Sequence, residues 1–159
     1  MSSFNRTPRP KLGEILIDMG MVTEEQVQQA LGVQETTKET LGSIMVDMGC
    51  LSDSDFTRTL VMEYQLPYII LENYELNEEL AALLSAEFMH SNKLLPFDRI
   101  GDTLLCAVTE VPREEILEEI TRQTGCKPGL YAASLNEVNR YLSHLAPLKQ
   151  QAEETVDQG

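Results

Sequence analysis

An internal repeat constrains this chain more than any other feature. Residues 11–34 read KLGEILIDMGMVTEEQVQQALGVQ, and residues 40–63 read TLGSIMVDMGCLSDSDFTRTLVME. With a shift of 29 positions, Leu12-Gly13 falls on Leu41-Gly42, Asp18-Met19-Gly20 on Asp47-Met48-Gly49, and Leu31 on Leu60. Self-similarity at a fixed period marks two copies of one supersecondary unit.

Each copy predicts a short helix, a glycine stop and a longer helix. In the first, Leu12, Ile15, Leu16 and Met19 share one helix face, and Gly20 follows where a left-handed residue ends a helix. Thr23 opens the next helix with Gln26 as its capping-box partner, and Val27, Ala30 and Leu31 form its apolar stripe. In the second, the face is Leu41, Ile44, Met45 and Met48, and the stop is Gly49. Ser52 caps the following helix with Asp55 at the third position, Phe56 and Leu60 form the stripe, and Pro67 lies past the end. Four helices with short connections predict an N-terminal four-helix bundle. The methionines on these stripes read as core filling, with a Met-rich docking groove as the alternative.

Gly13 and Gly42 sit near helix starts, where no stop is needed. An unforced glycine there costs about 0.5–1 kcal/mol relative to alanine. Something therefore approaches the backbone closely: a second helix, or a flat ligand or anion at helix-start N–H groups.

From Leu66 the pattern changes. Tyr68 to Leu71 reads as a strand, and Asn77 and Ser85 open short helices over 78–84 and 86–92. Leu94 to Phe97 and Thr103 to Val108 read as paired strands around a turn at 98–102. Pro112 suits the first turn of a helix ending at Gly125, and Leu130 to Ala133 reads as a further strand. Ser134 with Glu137 makes another capping box, opening a helix to about Leu145 that Pro147 ends. The expected fold is α+β: a four-helix bundle from two tandem helix-pair repeats, then a small α/β domain with a short sheet. The expected boundaries are a flexible basic arm over 1–10, the repeat domain over 11–65, the α/β domain over 66–146 and a polar tail over 147–159.

Charge removes further classes. Twelve Lys+Arg against 26 Asp+Glu give a net −14, which argues against a general DNA or RNA binder. The acidity is uneven: Arg6, Arg9 and Lys11 make residues 1–13 positive by three, and the remainder carries −17. No apolar run approaches the roughly 18–20 residues of a membrane span, and the N-terminus lacks the apolar core of a signal peptide. Cys50, Cys106 and Cys126, odd in number and widely spaced, suit a reduced cytoplasmic protein.

Catalytic and metal-binding patterns are missing. No glycine is followed by lysine, so a P-loop is excluded. His90 and His144 lie 54 positions apart and no C-x-x-C occurs, so no structural zinc site is expected. Both histidines read as surface or capping residues, and Glu114, Glu115, Glu118 and Glu119 as a solvated helix face. The chain is expected to be neither an enzyme nor the holder of a cofactor.

The pattern K-L-G-x-x-L-x-x-x-G-x-x-x-x-x-Q-x-x-x-A-L-x-x-Q, its second copy and the following L-P-Y-I resemble the MshEN domain. That is the N-terminal domain of type II secretion and type IV pilus assembly ATPases. The resemblance extends over about residues 11–146, including Leu94-Leu95-Pro96 and the Leu104 to Val108 strand. It implies that the helical half can bind cyclic di-GMP, each copy embracing part of the ligand with its opening Arg, its Leu-Gly, its apolar positions and its closing Gln. Guanine offers O6 and N7 acceptors to Arg and a flat face to Leu and Met.

Carried onto this chain, the implied ligand-binding residues are Arg9, Lys11, Leu12, Gly13, Leu16, Ile17, Gly20, Leu31 and Gln34 in the first copy. In the second they are Leu41, Gly42, Met45, Val46, Gly49 and Leu60. Lys11 replaces the usual Arg and loses its planar fork, with Arg9 two positions earlier as a substitute. Thr40 stands where the second Arg is expected, and Glu63 where the second Gln is expected. Thr109-Glu110-Val111-Pro112 replaces the frequent Ala-Asp-Pro with an apparent extra residue. The resemblance implies a non-catalytic regulatory module, either stand-alone or excised from an ATPase, acting with a secretion or pilus machinery protein. The alternative is a protein-docking adaptor that keeps the fold and has lost the nucleotide.

Overall fold

The computed structural model describes residues 12–145. The chain divides into two compact units, one ending at Ser52 and one beginning at Asp53. The expected boundary near residue 65 follows the repeat; by contacts, the last repeat helix goes with the sheet.

The first unit contains α1 (Leu12–Asp18), α2 (Glu24–Thr37) and α3 (Leu41–Asp47). Both copies stop their first helix identically. Gly20 has φ +74° and Gly49 φ +80°. The Gly20 N–H donates to the Ile17 carbonyl at 2.9 Å and the Met21 N–H to that of Leu16 at 3.0 Å. The equivalents, Gly49 to Val46 and Cys50 to Met45, measure 3.0 and 3.2 Å. This is the Schellman pattern, which satisfies two orphan carbonyls through one left-handed residue. The capping box at Thr23 is complete: Thr23 Oγ1 accepts the Gln26 N–H at 3.1 Å, and Gln26 Oε1 accepts the Thr23 N–H at 2.9 Å.

The second unit opens with α4 (Asp53–Tyr64) and continues through a 3-10 turn (Leu71–Asn73), α5 (Glu78–Ala81) and α6 (Ala86–Asn92). Strands β1 (Leu94–Ile100) and β2 (Thr103–Val108) are followed by α7 (Glu114–Thr124), β3 (Lys127–Ala132) and α8 (135–145). The sheet order is β1-β2-β3, with β1 antiparallel to β2 and β2 parallel to β3. A parallel pair needs a crossover, and α7 supplies it. Pro96 lies on β1, an edge strand, where a missing N–H is tolerated. The register shifts between Pro96 and Asp98, and Phe97 meets Tyr74 and Tyr131 edge-on at 5.1 and 5.4 Å. The core joins Leu94 and Leu95, Leu104 to Val108, Ile120, Val138 and Leu142.

The α+β class stands, and the four repeat helices form where the pattern puts them. Other expectations need correction. Tyr68 to Leu71 is not a strand: one bridge joins Tyr68 to Ala132 of β3, and a 3-10 turn follows at once. Side chains of α8 hold the chain at and just beyond the end of this segment. Glu137 Oε2 accepts the Glu72 N–H at 3.1 Å, and the Tyr141 hydroxyl donates to the Leu71 and Tyr74 carbonyls at 2.7 and 2.8 Å. The capping box at Ser134 is therefore half formed. Ser134 Oγ accepts the Glu137 N–H at 3.4 Å, while the Glu137 carboxylate goes to Glu72. Strand β3 begins at Lys127, before the expected Leu130, and α7 begins at Glu114 after an Arg113 N-cap with no side-chain bond. The basic arm, Pro147 and the polar tail lie outside the described residues.

Candidate functional site

The residues implied to bind a ligand divide by burial and by chain position. Arg9 and Lys11 lie outside the described residues. Leu12 and Leu41, each the first residue of a seven-residue helix, are half-buried, as are the equivalent Ile17 and Val46. Leu16 and Met45 are fully buried, so both side chains are core. Gly20 and Gly49 are the paired helix stops. Leu31 is 38% exposed whereas its equivalent Leu60 is 1% exposed. The two copies are thus alike around the first helix and its stop, and unlike in the second helix.

Gly13 has a packing reason. A Cβ placed on it would lie 2.9 Å from Val27 Cγ1 and 3.8 Å from Leu41 Cδ2. The α1 backbone therefore meets α2 and the opening residue of the second copy, which brings the two Leu-Gly openings together. Of the two readings of this glycine, helix contact accounts for it. Gly42 is buried within α3.

Two polar residues have local structural roles. Gln34 Nε2 donates to the Glu39 carbonyl at 3.0 Å and ties the end of α2 to the approach of α3. Thr40, standing where the family has Arg, is the N-cap of α3: its Oγ1 accepts the Ser43 N–H at 3.4 Å. The sequence from 12 to 52 carries one basic residue, Lys38, against seven acids. Lys38 is the left-handed C-cap of α2, with φ 61°. Met19 and Met48, equivalent in the repeat, are 38% and 40% exposed. They lie at the solvent side of their stripes, where core filling does not use them fully.

Elsewhere, titratable groups have structural surroundings. The Cys106 thiol is pushed up to about 12 by burial and then by Cys126, which makes it inert as a nucleophile. All three cysteines are free. His90 is half-buried in the last turn of α6, and burial, followed by the nearby Lys93, lowers its pKa. It is less exposed than the expected surface residue; His144 is exposed. Glu119 is held down to about 2 by hydrogen bonds from Arg122 and Gln123, so this part of the α7 face is an ion-paired surface. Among the described residues no group of three or more His, Cys, Asp or Glu could hold a metal, and no helix is long and apolar enough to cross a membrane.

Comparisons with known proteins agree with this fold. The MshEN domain family matches residues 64–152, and the chain belongs to that family. It is therefore a domain related to type II secretion and type IV pilus systems. Its fold is similar to MshE solved with cdg, at TM-score 0.60 and 26% identity, covering 86% of this chain and 99% of that one. It is also similar to the N-terminal domain of XpsE, at TM-score 0.65 and 16% identity, covering 82% and 90%. A second crystal form of the XpsE domain gives TM-score 0.57 and 15% identity over 86% and 97%. No curated protein sequence matches. The family match starts at Tyr64, after the repeat; the MshE similarity covers more of the chain than residues 64–159 alone and so extends into the repeat.

Sequence reasoning found the repeat face and missed Asp53, Tyr68, Glu72 and Glu137, which come together in the second unit. No spacing signal joins them, because their contacts span the whole of that unit.

Proposed function

We propose that this chain is a non-catalytic, cytoplasmic regulatory module that binds cyclic di-GMP and acts on a type II secretion or type IV pilus system. The observation that carries this reading is the similarity to MshE with cdg, taken as cyclic di-GMP, over nearly all of that chain. The repeat supports it. Half-buried Leu12, Ile17, Leu41 and Val46 supply apolar surface for guanine, and the Gly13 contact gathers the two Leu-Gly openings. Arg9 and Lys11 would supply charge to the phosphates, since the rest of the first unit is acidic. Titration calorimetry with cyclic di-GMP at physiological salt tests the reading: saturable heat is expected, and no heat at high micromolar ligand rejects it.

A second reading is a protein-docking adaptor of the same fold without nucleotide. It is favoured by Thr40, committed to capping α3, and by Glu63, exposed where an amide is expected. The exposed Met19 and Met48 suit such a surface. Native pull-down of a secretion or pilus platform protein in the absence of nucleotide supports the adaptor. Recovery of no such protein removes its support.

A further inference from the structure

A cavity of about 550 Å³ opens on the second unit between α4, the Tyr68–Glu72 segment and the start of α8. None of its lining residues is among those implied to bind cyclic di-GMP. Asp53, Glu72 and Glu137 line it with Arg58, so its charged lining has a formal charge of −2; Tyr68 and Ile70 form an exposed apolar wall.

The three carboxylates differ in what they still lack. Asp53 is engaged by the Ser134 hydroxyl and the Leu135 and Asn136 N–H groups at 2.7, 2.8 and 3.0 Å. Glu72 Oε1 meets Arg140 Nη1 at 3.4 Å in solvent. Glu137 is 8% exposed; Oε2 accepts the Glu72 N–H, and Oε1 is buried without a partner. A buried acceptor left unsatisfied is costly, and a donor is what this site is missing. Burial, then the charges of Glu137, Asp53 and Glu72, raise the Tyr68 pKa, so the aromatic wall lies in the field of the same acids.

We propose that this cavity receives an arginine side chain presented by a partner protein. The guanidinium stacks on Tyr68 and donates to Glu137 Oε1 as the carboxylate turns towards the cavity, and the methylene stem lies along Ile70. A phosphate or carboxylate ligand is opposed by the charge of the lining. A purely apolar ligand leaves Oε1 unpaired. Arginine suits the wall because its planar head stacks on an aromatic face while donating in-plane. The volume exceeds that of one side chain and accommodates the flanking peptide. Arg58, paired at 4.0 Å with Asp55 on the exposed rim, is a resident cation that opposes the incoming one.

Two-dimensional NMR on the full chain at low salt, titrated with acetyl-Gly-Arg-Gly-amide, tests the proposal. Saturable shifts are expected at the amides of Tyr68, Ile70, Glu72 and Glu137. Replacing the peptide arginine by neutral, isosteric citrulline should weaken binding at least tenfold. Glu137→Gln should weaken it to a similar extent, Tyr68→Ala several-fold, and Arg58→Ala should strengthen it several-fold. If Glu137→Gln fails to fold, the variants at exposed Tyr68 and Arg58 decide. The absence of shifts at millimolar peptide, leaving Oε1 to water, overturns the proposal, as does equal binding of the citrulline peptide. Spermidine saturating the same amides more tightly than the peptide also overturns it, in favour of a free polyamine. The outcome is independent of cyclic di-GMP binding.

Discussion

Asp53 accepts the Ser134 hydroxyl at 2.7 Å across 81 residues of chain, and the same carboxylate accepts the first backbone N–H groups of α8. The residue that opens the second unit thus caps α8 together with the helix's own neighbour Ser134. A carboxylate at this end also opposes the positive pole of the α8 dipole. Asp53→Ala should cost about 2–3 kcal/mol, because the Ser134 hydroxyl and two α8 N–H groups, with the Thr57 hydroxyl at 3.5 Å, lose a charged acceptor. The urea midpoint measures it, and Ser134→Ala should cost about 1 kcal/mol. A midpoint unchanged in Asp53→Ala would contradict the capping role.

Gly13→Ala should destabilise the first unit by about 1 kcal/mol, even though alanine is the better helix former. The new Cβ would meet Val27 Cγ1 at 2.9 Å, and a β-branched side chain so close to its backbone has little room to move. In a Val27→Ala background the same substitution should be neutral or stabilising. Thermal melts of the four proteins give the coupling directly.

Thr40→Arg separates stability from ligand binding. Loss of the Ser43 cap should cost about 0.5–1 kcal/mol. If the second copy faces cyclic di-GMP as the family pattern implies, affinity should rise several-fold in calorimetry. The Lys11→Ala, Leu12→Ala pair should abolish binding. Affinity unchanged in both proteins would place the ligand elsewhere or nowhere.

His90 sets a pH dependence. Burial, then Lys93, lower its folded pKa below 6.5, against a hydrogen bond with the Leu142 backbone. The unfolded chain therefore binds the proton more readily, and stability falls as pH drops through about 6.5 towards the folded value. His90 Nε2 is buried and unpartnered, consistent with a neutral ring. Melting temperatures of His90→Gln should decline less than those of the wild type between about pH 7 and pH 5. Parallel curves would exclude this histidine as the source.

Features written within one turn of chain were readable from the sequence. The glycine stops at 20, 49 and 125 and the Thr23-Gln26 box depend on neighbours three to five residues away. Distant partnerships were not. Glu137 has the spacing of a capping-box acid, yet it satisfies the Glu72 N–H in the 3-10 turn that follows the Tyr68 bridge. Gly13 could be flagged from sequence, but only the Val27 contact distinguishes packing from ligand. The repeat likewise suggests equivalence of Leu31 and Leu60, which their different burial breaks.

Pro96 has a consequence for how other molecules reach this domain. It interrupts β1, which forms one edge of the sheet, and the register irregularity follows immediately. A peptide seeking to extend the sheet there would find a gap in the row of donors that strand addition requires. Unspecific pairing with neighbouring chains along β1 is thereby disfavoured at high local concentration.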